Sequence, residues 1–249
     1  MLYPDAMRQL KHSDHIALLY DATFELLDSV TSYVQAGVDN SECCIIYMPS
    51  GLVAEAIDAF TEATIDVTDL MLKGQLQILP SGILSSASQT VDFLKPDELN
   101  KAFEKAKIAG FSGLRLMLCT ATKTSEEWSL FVSYEKDIQN LIKNNNIILL
   151  RAFPLTSLSS SQLLDLFEIY DKVMLRKQGN WSFINIFQNT MQAEDHKCYE
   201  TLDFYSRILD RIWTGLWATD RDDNVIFFNP GIESISGISA EQVLGKNLF

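Results

Sequence analysis

A chain of 249 residues, 47% apolar and 21% charged, suffices for one ordinary domain and part of a second, and its composition excludes disorder throughout. Acidic side chains outnumber basic ones by 33 to 20, and the net charge of -13 repels a phosphate backbone; the densest basic stretch, Arg176-Lys177, is too short for a nucleic-acid patch. The opening residues lack a signal-peptide core, and no run approaches the roughly 18 apolar residues of a membrane span, so a cytoplasmic chain without nucleic-acid or membrane partners is expected.

Residues 16–20 form a first apolar strand. Asp21 is the expected cap of a helix with Phe24, Leu27, Val30 and Val34 on its inner face, and Gly37 is its expected stop. A buried strand over 43–48, a turn at Pro49-Ser50-Gly51 and a helix carrying Leu52, Val53, Ala56, Ile57 and Phe60 follow. The alternation continues with a strand at 76–79, a polar loop through 81–90 and a helix from Pro96 whose apolar face is Leu99, Phe103 and Ala106, stopped by Gly110. After a strand at 114–118, Thr124 and Glu127 form a capping box ahead of Trp128, Phe131, Ile138 and Leu141. A strand at 147–153 and a second capping box, Ser159 with Gln162, lead to a helix with Leu163, Leu166, Phe167 and Tyr170; residues 173–184, broken at Gln178-Gly179-Asn180, read as a closing hairpin. Continuous apolar strands alternating with amphipathic helices predict a three-layer α/β domain around a mostly parallel sheet.

Met191, Asp195, Cys198, Leu202, Tyr205, Leu209 and Ile212 then recur at four-three spacing. The pattern fits either a helix packed on its own domain or a coiled-coil seam that would make the chain a homodimer through 191–212. From Ile208 the chain reads as a helix end, a strand, an Asp-rich turn, a strand ending in Asn-Pro and two short helical pieces. Cys43, Cys44, Cys119 and Cys198 show no CxxC spacing and are expected as reduced core residues.

Catalytic and metal motifs are absent. A phosphate cradle needs a glycine-rich loop with a Lys and a Ser or Thr, whereas Met48-Pro49-Ser50-Gly51-Leu52 offers one glycine and no lysine. This is first a strand-to-helix turn and second an anion site on the amides after Ser50 and Gly51. His12 and His15 have helical metal spacing but precede the first strand, so a structural or ligand-contacting role is expected and no metal. With all three histidines read as lying outside the helices and strands, no nucleophile triad can be assembled. Ligands of open parallel sheets bind beyond the carboxyl ends of the strands, here Tyr20-Asp21, Met48-Pro49-Ser50, Pro80-Ser81, Cys119-Thr120 and Phe153-Pro154. Their mixed apolar and hydroxyl lining suits a small, weakly polar ligand. Arg115, inside an apolar strand, needs a partner, for which Glu135 is the candidate, with a ligand anion second.

Two family resemblances follow from specific residues. Asp220, Asp223, Asn224, Asn229, Gly237 and Glu241-Gln242-Val243-Leu244-Gly245-Lys246, in that order, resemble the first half of a PAS domain. Its remaining helix and strands are expected beyond Phe249. His15-Ile16-Ala17-Leu18-Leu19-Tyr20, Glu42, Gly110-Phe111-Ser112-Gly113-Leu114-Arg115-Leu116 and Tyr134-Glu135 resemble a MEDS domain, a sensory module of methanogens and methylotrophs. That resemblance implies a RecA-like core, here without a P-loop, and recognition of a small organic compound upstream of PAS modules and histidine kinases. The implied organisation is a MEDS-like domain over 1–185, a signalling helix over 186–212 and a truncated α+β PAS domain over 213–249. His15, Tyr20, Ser50, Gly51, Arg115, Thr120, Tyr134 and Glu135 are the candidate ligand residues, and Asp220, Asn229, Gly237 and Gly245 carry the PAS motif. No cofactor is evident, and a PAS cofactor is left unassigned. Competing readings are a degenerate nucleotide-binding enzyme and the input region of a transcription regulator.

Overall fold

Every apolar run expected as a strand in the first domain is a strand in the computed structural model, which describes residues 6–81, 94–120, 124–177, 180–185, 215–220 and 222–247. β1 (His15–Tyr20), β2 (Cys43–Met48), β3 (Leu76–Pro80), β4 (Leu114–Cys119), β5 (Ile147–Pro154) and β6 (Lys172–Lys177) run parallel. β7 (Asn180–Asn185) pairs antiparallel with β6 as the expected hairpin, and the strand order is β3-β2-β4-β5-β1-β6-β7. The inner strands are buried on both faces, which is why their sequences are apolar without alternation.

Helices α1 (Thr23–Asp39), α2 (Val53–Glu62), α3 (Val67–Leu72), α4 (Pro96–Ile108), α5 (Ser125–Lys143) and α6 (Ser160–Ile169) complete the α/β elements. Alternate strand residues sort into two cores. Cys44, Ile46, Met117 and Ile148 pack with Val30 and Val34 of α1, Phe60 of α2 and Leu70 of α3. Cys43, Ile45, Leu116 and Leu149 pack on the other face with Leu99 and Phe103 of α4 and Ile138 and Ile142 of α5. The layers are therefore helix, sheet, helix. Both capping boxes form: Thr124 Oγ1 accepts the Glu127 N–H at 3.3 Å, and Ser159 Oγ accepts that of Gln162 at 3.3 Å.

Three local expectations are corrected, and one helix is added to those expected. The cap of α1 is Ala22; the Asp21 N–H instead donates to Glu25 Oε2 at 2.9 Å. Phe24 is exposed, its place on the inner face taken by Leu26 and Tyr33. The added helix is the six-residue α3, too short for a periodic signal and capped by Asp66, whose carboxylate accepts the Asp69 N–H at 3.0 Å. Gly37 does not stop α1, which continues to Asp39. Gly37 is instead a point of close approach: a Cβ there would collide with Cys44 Sγ and stand 3.0 Å from Arg115 Cδ.

The chain divides into two compact units, Met1–Pro154 with Asp165–Ile186, and Leu155–Leu164 with Phe187–Phe249. In the second unit β8 (Trp217–Thr219) pairs antiparallel with β9 (Val225–Phe228), followed by α7 (Pro230–Ser236) and α8 (Ala240–Val243). The four-three pattern over 191–212 and most of the loop over 81–90 lie outside the described residues. Among the described residues no helix is long and apolar enough to cross a membrane.

The two glycines make a paired test. Gly37→Ala is expected to destabilise the protein by about 2 kcal/mol through overpacking, whereas Gly51, with nothing within 4 Å of a Cβ, tolerates alanine. Urea unfolding midpoints measure both. An unchanged midpoint for Gly37→Ala would remove the close approach as the reason for this glycine.

Candidate functional site

A guanidinium inside an apolar sheet must be paired, and the sheet carries two. Arg115 of β4 is fully buried, and its Nε lies 2.6 Å from Glu42 Oε2. Its Nη1 donates to the Met7 carbonyl at 3.3 Å, and its guanidinium lies 4.8 Å from the centre of the Tyr33 ring. The second Glu42 oxygen is 2.9 Å from His12 Nε2. Arg115 therefore pairs with Glu42 just ahead of β2 and not with Glu135. Both residues act on the α1 face of the sheet, as does Tyr33, whose hydroxyl donates to the Leu116 and Ile148 carbonyls.

Glu135 of α5 sits on the opposite face, wholly buried, with Arg151 of β5 as its partner at 2.6 Å. Its other oxygen accepts the Tyr170 hydroxyl at 2.8 Å and lies 2.8 Å from His15 Nε2, which donates to the ionised carboxylate. The His15 and Tyr170 rings pack at 4.4 Å. Burial pushes the Glu135 carboxyl up, but Arg151, His15 and Tyr170 more than offset this and hold it below the ordinary range. Burial also drives the Tyr170 hydroxyl well up, reinforced by Glu135, so it remains a donor. His15 is thus the first residue of β1, correcting its expected place outside the strands; His196 lies outside the described residues.

These networks decide which candidate residues come together. His15 and Glu135 touch directly, and Tyr134 stacks beside Arg151, its ring centre 6.0 Å from the guanidinium. Thr120 connects the cluster to the strand ends: Arg151 Nη1 is 3.5 Å from its Oγ1, and its N–H donates to the Ala152 carbonyl at 2.9 Å. Tyr20 ends β1 opposite Pro154 of β5, its phenol pushed up to about 12 by burial and then by Cys119. Arg115 is separate from this group. Ser50 and Gly51 are also separate, both exposed in the 3-10 turn before α2. Arg151, Tyr170 and Tyr33 were not anticipated, although the signal was available for one: Arg151 in Ile-Ile-Leu-Leu-Arg-Ala-Phe is as conspicuous as Arg115.

The turns after β1 and β2 do not have the residues of a phosphate cradle. β1 passes into α1 through Asp21-Ala22 and β2 into α2 through Pro49-Ser50-Gly51, with no lysine in either. The carboxyl edge instead presents Tyr20, the buried Thr120 and Cys119.

In the second unit the motif residues perform backbone tasks. Asp220 accepts the Asp222 and Asn224 N–H groups, each at 2.9 Å, and the Asn224 side-chain and backbone bonds hold its carboxyl below the ordinary value. Asn229 Oδ1 accepts the Leu216 N–H at 2.8 Å and the Ile232 N–H at 3.0 Å, capping α7 while tying it to the start of β8. Gly237 and Gly245 both have left-handed backbones, with φ of 70° and 74°.

Comparison with known proteins finds two families. A family described as MEDS, the methanogen/methylotroph, DcmR sensory domain, matches residues 14–169, and the PAS fold matches residues 203–249. No curated protein matches the chain significantly. Among solved structures the chain is similar to the subject of a structural study of project PH0250 from Pyrococcus horikoshii OT3, at 9% identity and a TM-score of 0.50, over 76% of this chain and 95% of that one. That likeness concerns the fold alone. The two family matches together mark a sensory input region.

The Glu135 cluster has a pH signature. A folded carboxyl below its ordinary value stabilises fully above about pH 4.3 and loses that contribution as pH falls through the depressed value. Glu135→Gln, which leaves Arg151 buried without its carboxylate, is expected to cost about 3 kcal/mol at neutral pH. It is also expected to lose less stability than the native protein between about pH 6 and about pH 3. Urea titrations at both pH values check this, and equal acid losses in the two proteins would eliminate Glu135 as a source of the acid sensitivity.

Proposed function

We propose that this chain, which belongs to the MEDS family of sensory domains, is the cytoplasmic input region of a sensor histidine kinase that binds a small organic ligand. The carrying observation is the order of the two matches, MEDS over 14–169 and PAS over 203–249 in one chain. A sensory domain over 1–185 would pass its state through a helix over 186–212 to the PAS segment over 213–249. The ligand would sit at the carboxyl edge of the sheet, against Tyr20 and Thr120, with Arg151 and Glu135 fixing Thr120 from behind. Turns without lysine after β1 and β2 support a neutral or weakly polar ligand over a nucleoside polyphosphate. The free thiols Cys43 and Cys44 suit a reducing compartment.

Relay needs a two-state element, and pairing of two chains through 191–212 supplies one: ligand-dependent change in helix register or angle would reach the PAS segment directly. Sedimentation of the chain is expected to give a dimer, and a monomer at high concentration would eliminate this route. Small halogenated or methylated organic compounds are expected to raise the melting temperature saturably. A ligand at a hundred times its Kd adds about 2.7 kcal/mol, and Thr120→Val is expected to weaken the response. Saturable stabilisation by ATP with phosphate release would instead establish a nucleotide-hydrolysing enzyme. A full-length histidine kinase is expected to contain a phosphoacceptor histidine and an ATPase domain; a helix-turn-helix in their place would make the protein a transcription regulator.

A further inference from the structure

An open groove of about 420 Å³ runs along the outer flank of β2, between that strand and α4. It shares no lining residue with the strand-end cluster. β3 is the edge strand of the sheet, and among the described residues α4 has no helical neighbour on this face beyond β2. Cys43, Ile45 and Tyr47, alternate residues of β2 and therefore on one face, form the floor. Alanines on α4 keep the opposite wall low. The volume is within the roughly 300 to 1,000 Å³ of small-molecule sites.

The polar groups of the groove are mostly donors. Lys101 and Lys105, one helical turn apart on α4, both line it. Among the described residues neither ammonium has a carboxylate within ion-pair distance, although the chain carries a net charge of -13. Glu98 is the single acid in the lining, and its Oε2 accepts the Lys95 N–H at 3.2 Å to cap α4. The Tyr47 phenol is pushed up by burial and then by Glu98, so it stays a neutral donor. Burial takes the Cys43 thiol to about 11, which leaves the floor uncharged and unreactive.

An apolar floor under two uncompensated cations selects for charge and shape together. We propose that this groove binds a small amphipathic organic anion, with its carboxylate between Lys101 and Lys105 and its hydrocarbon body along Cys43, Ile45 and Tyr47. The lysines supply charge-assisted hydrogen bonds, and the floor removes the chain of the ligand from water. A neutral molecule of the same length satisfies only half of the site. A cationic one is repelled.

Octanoate is a suitable probe, titrated calorimetrically into the whole chain beside octan-1-ol and octylamine. Octanoate is expected to bind saturably, and octanol and octylamine at least tenfold more weakly, since a charged hydrogen-bonding group contributes about that factor. Lys101→Ala with Lys105→Ala is expected to weaken octanoate about tenfold, and Lys101→Arg with Lys105→Arg to retain it. Both lysines are exposed, so neither double variant threatens the fold. Equal affinities for octanoate and octanol, octanoate binding that survives the double alanine variant, or no binding at all would each overturn the proposal. So would self-association that depends on these lysines and excludes octanoate, because the groove would then be a contact between two copies of the chain.

Discussion

The constraint on which the first domain turns is the burial of two guanidinium groups inside the sheet, out of reach of bulk solvent. An isolated buried ion is held only if a partner charge and enough hydrogen bonds replace its hydration. Arg115 and Arg151 find their partner charges on opposite faces, through Glu42 on the α1 side and Glu135 on the α5 side. Each pair ties a central strand to a different part of the fold: β4 to the start of β2, and β5 to α5. A one-residue slip of either strand would carry its arginine to the wrong face, away from its carboxylate and into an apolar layer. Register is thereby specified by charge as well as by shape.

The same constraint explains why Gly37 and Tyr33 are where they are. The Arg115 stem needs room beside α1, and Gly37 supplies it; the guanidinium needs a polarisable surface, and the Tyr33 ring supplies that. Tyr33 then uses its hydroxyl on two strand carbonyls, so a buried phenol leaves no unsatisfied donor. On the other face His15, Tyr170 and Arg151 together satisfy Glu135. The polar groups of the interior are thus organised by two carboxylates.

What could be read from the residues alone divides along physical lines. Strands of a covered parallel sheet are continuous apolar runs, and all of them were legible, as were both capping boxes, because each is a local signal. Ion pairing is not local. Glu135 is 20 positions from Arg115 and Glu42 is 73 positions away, yet Glu42 is the partner; only the order β3-β2-β4 brings the start of β2 beside Arg115. Gly37 was misread as a helix stop because glycine looks the same whether it serves backbone freedom or close approach. Of the candidate site, the association of His15, Glu135, Tyr134 and Thr120 emerged only with the fold, and Arg151, which joins them, was missed.

The second unit sharpens that distinction. Asp220, Asn229, Gly237 and Gly245 are recognisable because each solves a backbone problem within a few residues of itself, closing a turn, capping a helix or adopting a left-handed φ. Such residues specify a fold and are indifferent to what it binds. The candidate ligand residues of the first unit are of the other kind, assembled from several strands at one edge of the sheet. There the absence of lysine from the turns after β1 and β2 is the informative feature. A sheet with such turns keeps the parallel arrangement without the lysine that a phosphate cradle needs there, and Tyr20 and Thr120 at its carboxyl edge offer hydroxyls beside apolar strand residues.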